Sequence, residues 1–297
     1  MVHKHGLKGN ARQIIIYLIV LACAIACLFP LLNILAISFS SAAAVVSNRV
    51  GLLPVGFTTA PYEKIMTDGQ FWRSFGISVL RVALGLAINM ILVVMMAYPM
   101  SKSNSEFKGR NIYMNLLIFA MLFNGGMIPT YLVVKQLGFI NSLWALILPG
   151  AVPIFNVILV MNFFLGIPKS LEEAALIDGA TPLQVLLRIF VPCSKPVLAT
   201  IALFSIVGNW NDFFGGLLYI TKIKNYPLMT YIQSLSVSIE DLIKQSTNAS
   251  ALTNVAEIAN QNLNAAKIVI SVIPLLLIYP LLQKYLITGI VMGSVKE

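Results

Sequence analysis

The sequence predicts an all-α, polytopic membrane protein, and three observations carry that prediction. Hydrophobic residues fill 58% of the 297 positions and charged residues only 10%, where a soluble domain carries roughly 25% charge. Mean hydropathy is +0.87. Apolar runs long enough to cross a bilayer, which takes about 20 residues, recur six times, at roughly 13–38, 75–98, 112–135, 142–165, 193–217 and 266–286. The net charge of +9 then reflects orientation in a membrane, because Lys and Arg collect on cytoplasmic loops. It does not point to nucleic acid.

The chain opens on MVHKHGLKGNARQ, a basic stretch that turns abruptly apolar. The run from Ile14 to Ile37 is too long for a signal-peptide core and lacks a small-residue cleavage site, so it is the first span. His3 and His5 lie in the basic tail, with nothing nearby to form a ligand set. Cys23 and Cys27, four apart in the first span, are expected to pack as small hydrophobes. With Cys193 they form no disulfide framework or metal spacing.

Six crossings put both ends on one side. With the termini cytoplasmic, the inner segments are the tail 1–12, the loop 99–111, the loop 166–192 with Lys195 at its edge, and the C-tail 283–297. They hold eleven basic residues: Lys4, Lys8, Arg12, Lys102, Lys108, Arg110, Lys169, Arg188, Lys195, Lys284 and Lys296. The outer loops, longer in total, hold six: Arg49, Lys64, Arg73, Lys222, Lys224 and Lys244. That asymmetry predicts both termini on the cytoplasmic side of the membrane. The outer loop 39–74 contains GLLPVGFTTAPYEKIMTDGQFWRSF, whose turn residues and aromatics suit a small structured cap. The polar tract IEDLIKQSTNASALTNVAEIANQNLN in the loop 218–265 suits an exposed helix or a mobile connector.

One inner loop breaks the apolar pattern: SLEEAALIDGATPLQVLLRIFVP, residues 170–192. Ser170 and Glu173 fit a capping box, and Thr181, Pro182 and Gln184 repeat the device. Between them Asp178, Gly179 and Ala180 form a break, with Gly179 suited to the left-handed conformation that ends a helix. Two short helices hinged at Gly179 are expected. Their physics alone leaves two uses open, an interfacial hairpin on lipid headgroups or a plug in a partner's groove. For Glu173, capping alone is a sufficient reason to be there.

The loop resembles the signature of permease subunits of binding-protein-dependent ABC importers. That signature reads Glu-Ala-Ala, three residues, Gly, nine residues, Ile, one residue, Leu-Pro. Glu173, Ala174, Ala175, Gly179, Ile189 and Pro192 match at full spacing, with Val191 in place of the usual leucine. FNGGMIPTYLVVKQLGFINSLWALILPGAVP, GNWNDFF and QKYLITGIVMGSVKE resemble the carbohydrate and oligosaccharide branch, of the maltose type. The resemblance implies one permease domain over 1–297 with the type I importer fold and six transmembrane helices. It also implies a cytoplasmic coupling helix between helices 4 and 5, with Glu173, Ala174, Ala175, Asp178, Gly179, Ile189 and Pro192 docking on an ATPase. The partners implied are two ATPase subunits carrying ATP and Mg, a similar but non-identical second permease subunit, and an extracellular or periplasmic solute-binding protein. The C-tail, frayed by default, reaches the ATPase dimer interface in related permeases.

Polar side chains within a span usually face a cavity or the bundle interior. Asn209, Trp210, Asn211 and Asp212 in span five suit a sugar, with an indole to stack on a ring and amides and a carboxylate to bond hydroxyls. Asn209 and Asp212 also suit bonds between neighbouring helices, and the resemblance favours the pathway. Asn124, Gly125, Gly126 and Pro129 in span three suit either a loosened helix beside the pathway or, slightly favoured, close packing. Arg81 in span two is expected to snorkel toward the outer surface; facing the cavity instead, it would suit an acidic sugar. The chain has no G-x-x-x-x-G-K-[ST] loop, nucleophile elbow, metal cluster or H-E-x-x-H helix, so no catalysis and no bound cofactor is expected of it. Two alternatives stay open: an importer permease for a non-sugar solute, or an ion-coupled secondary transporter, for which only Asp212 offers an intramembrane acid.

Overall fold

A computed structural model of the chain describes residues 7–123, 125–235 and 261–294, and these are helical with connecting turns. Three helices are each long and apolar enough to cross a membrane: α1 (Leu7–Ser38), α4 (Gly69–Met100) and α14 (Gln261–Ser294). Three further crossings arise if each of three bent helix pairs counts as one span. One pair is α5 (Arg110–Leu122) with α6 (Met127–Gln136). Another is α7 (Trp144–Ile147), with the 3₁₀ turn Leu148–Gly150, and α8 (Ile154–Leu165), bent by 48°. In the third, the segment Pro182–Cys193 meets α12 (Lys195–Asn211) at 83°.

The chain divides into two compact units. In the first, α1 presents its apolar face outward from residue 13 through residue 32, Cys23 and Cys27 included. The packing expected of these cysteines is not found among the described residues, where both are exposed. The predicted cap is present as α2 (Ala42–Val46), N-capped by Ser41, and α3 (Ala60–Thr67), which has Pro61 in its first turn. Phe39 stacks on Phe57 and on Tyr62, and the Tyr62 hydroxyl bonds Ser38 Oγ at 2.8 Å. At the start of α14, Asn262 donates to Ser40 O, and buried Lys267 pairs with Asp68 at 2.7 Å. The polar tract of the outer loop falls largely on 236–260, outside the described residues.

The second unit is organised by α4. Its buried residues, Phe71, Ser74, Ser78, Arg81, Gly85, Asn89, Val93, Ala97 and Met100, recur every three or four positions and form one helical face. Val93, Ala97 and Met100 pack on Val157, Val160 and Phe164 of α8, with Val185, Phe190 and Ile201 completing the core. The predicted fifth span is interrupted: α12 stops at Asn211, and the chain resumes as α13 (Phe214–Tyr219). Span three is interrupted too, since α5 ends at Leu122 and Gly126 takes φ +89° ahead of α6. Glycine there serves a break and not close helix packing, the slightly favoured alternative. The helix of α14 runs through Pro274 and Pro280 to Ser294, so the C-tail expected to fray is helical almost to its end.

Candidate functional site

A helix broken inside a membrane leaves carbonyls without partners, and something nearby must bond them. Here α4 does so with two polar residues eight apart on its buried face. Arg81 donates from Nη2 to Leu146 O at 3.2 Å, at the end of α7, and from Nη1 to Asp212 O at 3.1 Å, at the end of α12. Its Nη2 also pairs with Asp212 Oδ2 at 2.6 Å. Asn89 Nδ2 donates to Ala151 O at 3.1 Å, in the turn between α7 and α8. Asp212 in turn accepts from Gly215 N at 2.9 Å, which caps the start of α13. Arg81 is only 3% exposed, so the snorkelling expected of it is corrected: its Nη1 and Nη2 donors bond carbonyls at the ends of two interrupted spans.

Between these breaks lies a cavity of about 500 Å³ whose polar wall is Arg81, Asn89, Asn156, Ser205, Asn209 and Asp212. On two of the lining residues, the buried atoms Arg81 Nε and Asn89 Oδ1 have no hydrogen-bond partner among the described residues. The amides, hydroxyl and ion pair of that wall offer the donors and acceptors that a polyhydroxyl ligand needs. Discontinuous spans around a polar cavity also form the usual architecture of a solute site in transporters.

Of the four residues proposed around the span-five break, Asn209 and Asp212 line the cavity and the other two do not. Trp210 is buried, with its indole 5.7 Å edge-on from Phe75, so the ring packs within the bundle and does not face the cavity. Asn211 is exposed elsewhere. Consecutive residues on a helix diverge by about 100°, which is why one run cannot deliver all four to one wall. Asn124 lies outside the described residues. Asn89, Asn156 and Gly85 were missed. The signal was available, since Arg81, Gly85 and Asn89 follow one another at i, i+4 and i+8. A Cβ on Gly85 would come within 3.0 Å of the Asn209 amide. Gly85→Ala is expected to displace that amide and slow transport severalfold while moving the melting temperature little, measured as uptake alongside thermal unfolding in detergent.

The loop 166–192 is built largely as expected. Thr181 accepts from Gln184 N at 3.4 Å and Gln184 Oε1 accepts from Thr181 N at 2.8 Å, a full capping box worth about 1 kcal/mol. Gly179 takes φ +79°. The first capping box is absent: α9 (Lys169–Ile177) has Pro168 as its N-cap, with ψ 128°, so Ser170 is already helical and cannot cap. Ala175 turns inward against the core, whereas Glu173, Ala174 and Asp178 are exposed. Ile177 is 87% exposed, with Leu176, Leu183 and Leu187 also outward. After α10 (Pro182–Val185) comes a π-helical turn, Leu186–Phe190, then α11 (Val191–Cys193). This turn tucks Phe190 inward and leaves Ile189 half-buried and Pro192 exposed. In the neighbouring turn, Ser103 N–H and hydroxyl bonds hold the Glu106 carboxyl below its ordinary pKa.

The family model for the binding-protein-dependent transport system inner membrane component matches residues 89–292. Protein LplC of Bacillus subtilis (strain 168) is 43% identical over 269 residues, covering 91% of this chain and 89% of that protein. The polygalacturonan/rhamnogalacturonan transport system permease protein YtcP of the same organism is 37% identical over 290 residues, covering 98% of this chain and 100% of the relative. Among solved structures, a bacterial ABC transporter involved in the import of the acidic polysaccharide alginate contains a chain with TM-score 0.84 and 31% identity. That likeness covers 96% of this chain and 99% of the other.

Proposed function

The chain belongs to the family of binding-protein-dependent transport system inner membrane components, and we propose that it forms one half of the translocation pathway of an ATP-driven importer of oligosaccharides. The observation that carries the proposal is the cavity at the breaks of two spans, walled by amides, a hydroxyl and an internally balanced ion pair. Such a wall offers many donors and acceptors without net charge, which suits a run of sugar hydroxyls. The similarity to YtcP, to the arabinooligosaccharides transport system permease protein AraQ and to the alginate importer supports a carbohydrate.

The reaction cycle in this reading is alternating access. A loaded binding protein docks outside, and ATP closes two separate ATPase subunits on the coupling loops of this chain and of a homologous partner. The shared cavity then opens first outward and next inward, with both termini of this chain cytoplasmic. The loop 166–192 supplies the docking surface: Ile177, Leu176, Leu183 and Leu187 present apolar side chains outward, suited to a groove on a partner. Asp212 is engaged by Arg81 and Gly215, which weighs against its use as an ion-coupling acid.

The test is reconstitution of the chain in proteoliposomes with its second permease, ATPase and binding protein. Uptake of labelled oligouronide or arabino-oligosaccharide is expected to need ATP and the binding protein. Uptake that persists without any ATPase and collapses with the ion gradient would overturn the proposal.

A further inference from the structure

Two residues past the end of α4, the Lys102 ammonium pairs with the Glu172 carboxylate in the first turn of α9. The cation also lies 4.2 Å from the Tyr98 ring centroid and 4.5 Å from that of Phe190. Those two rings stand edge to face at 5.1 Å, and Phe164 abuts Phe190 at 5.3 Å. The Tyr98 hydroxyl donates to the same Glu172 oxygen at 3.4 Å. An ion pair in free solvent holds geometry weakly. This one is enclosed, with side-chain exposures of 13% and 21%, and ring faces add attraction for the cation.

Three elements meet at Lys102: the end of α4 through Tyr98, the first turn of α9 through Glu172, and the π-helical turn leading toward α12 through Phe190. Such turns recur at functional sites because the extra residue re-aims the side chains around it. From Met100 back to Arg81, α4 is one unbroken helix, a rod about 28 Å long at 1.5 Å per residue. Its far end carries Arg81, with Asn89 partway along, and these two bond carbonyls at the two breaks beside the cavity. Glu173, the glutamate of the signature, is exposed, whereas Glu172 before it is half-buried in the joint.

We propose that the Lys102–Glu172 joint passes displacement of α9 to α4 and so to the cavity, with Lys102 and Glu172 as positioning residues for coupling. The proposal rests on the reading of α9 as the helix that docks on the ATPase. Rigid elements joined through a contact of this kind are the physical means by which distant sites are coupled.

The experiment measures sugar imported per ATP hydrolysed by the full complex with its binding protein in proteoliposomes. Lys102→Met, which keeps length without charge, and Glu172→Gln, which keeps shape without charge, are each expected to lower that ratio at least about fivefold, the lower end of ordinary coupling energies. Lys102→Arg keeps a cation over the rings and is expected to hold the ratio within about twofold of wild type. If Lys102→Met does not assemble, Glu172→Gln gives the same reading. Wild-type ratios in Glu172→Gln, or a loss in Lys102→Arg equal to that in Lys102→Met, would overturn the joint. A wild-type chain that fails to copurify with the ATPase, or that imports without ATP, removes the functional reading beneath it instead.

Discussion

Arg81→Met is expected to lower the stability of the protein by about 3 kcal/mol and to abolish uptake, because one substitution removes the donors to three acceptors. Asp212 Oδ2, Asp212 O and Leu146 O all bond the guanidinium, and the last two end helices interrupted within spans. Removing one partner of a buried pair costs about 3–5 kcal/mol. The Asp212 side chain is 34% exposed, so water in the cavity relieves part of the loss, and the lower end applies. Arg81→Lys is expected to recover only a fraction, because a single ammonium cannot span acceptors on two elements as the planar fork does. Adding Asp212→Asn to Arg81→Met removes the stranded carboxylate and is expected to raise the melting temperature again without restoring uptake. Thermal unfolding in detergent and uptake in proteoliposomes separate these effects. A single Arg81→Met protein that melts like wild type would show that the breaks do not depend on this pair.

The same residue shows where the sequence stops being legible. The apolar runs were visible from composition because lipid imposes a length on them, and the hinge at Gly179 was visible because capping and left-handed glycine are local chemistry. The interruptions of spans four and five were not visible as such. LWALILPGAVP and GNWNDFF sit inside long apolar runs and read as spans by length; Pro149, Gly150 and Pro153 break the first locally, and what the sequence does not show is that α4 supplies donors to the carbonyls at both breaks. Arg81 taken alone fits the snorkelling rule for a lone cation near a helix end. Only its spacing from Gly85 and Asn89 marks the inward face. Likewise Ser170 and Glu173 have the right spacing for a capping box, but Pro168 starts the helix two residues earlier. Spacing proposes a cap, and the backbone entering the helix decides it.

Gly179→Val is expected to leave the protein inserted and folded while reducing uptake at least about tenfold, the consequence of some 1.4 kcal/mol at a step that matters. The end of α9 is a Schellman motif: Ala180 N bonds Ala175 O at 2.9 Å and Gly179 N bonds Leu176 O at 3.1 Å. Ala175 and Ala180, the pair whose contact accompanies that motif, both pack against the core. Closing these bonds requires φ +79° at position 179. A Cβ there would meet nothing within 4 Å, so size is not the obstacle. The obstacle is the backbone, where a left-handed residue costs about 1–2 kcal/mol with an ordinary side chain and more with a β-branched one. The chain escapes that strain by releasing the two bonds, which loosens the angle between α9 and α10 and with it the placing of the outward side chains Ile177 and Leu183. Asparagine tolerates the left-handed region, so Gly179→Asn, though polar and larger than alanine, is expected to retain most uptake. Gly179→Ala falls between them. If uptake in the three variants followed side-chain volume instead, alanine least affected and asparagine close to valine, the angle at Gly179 would not be what the docking surface depends on.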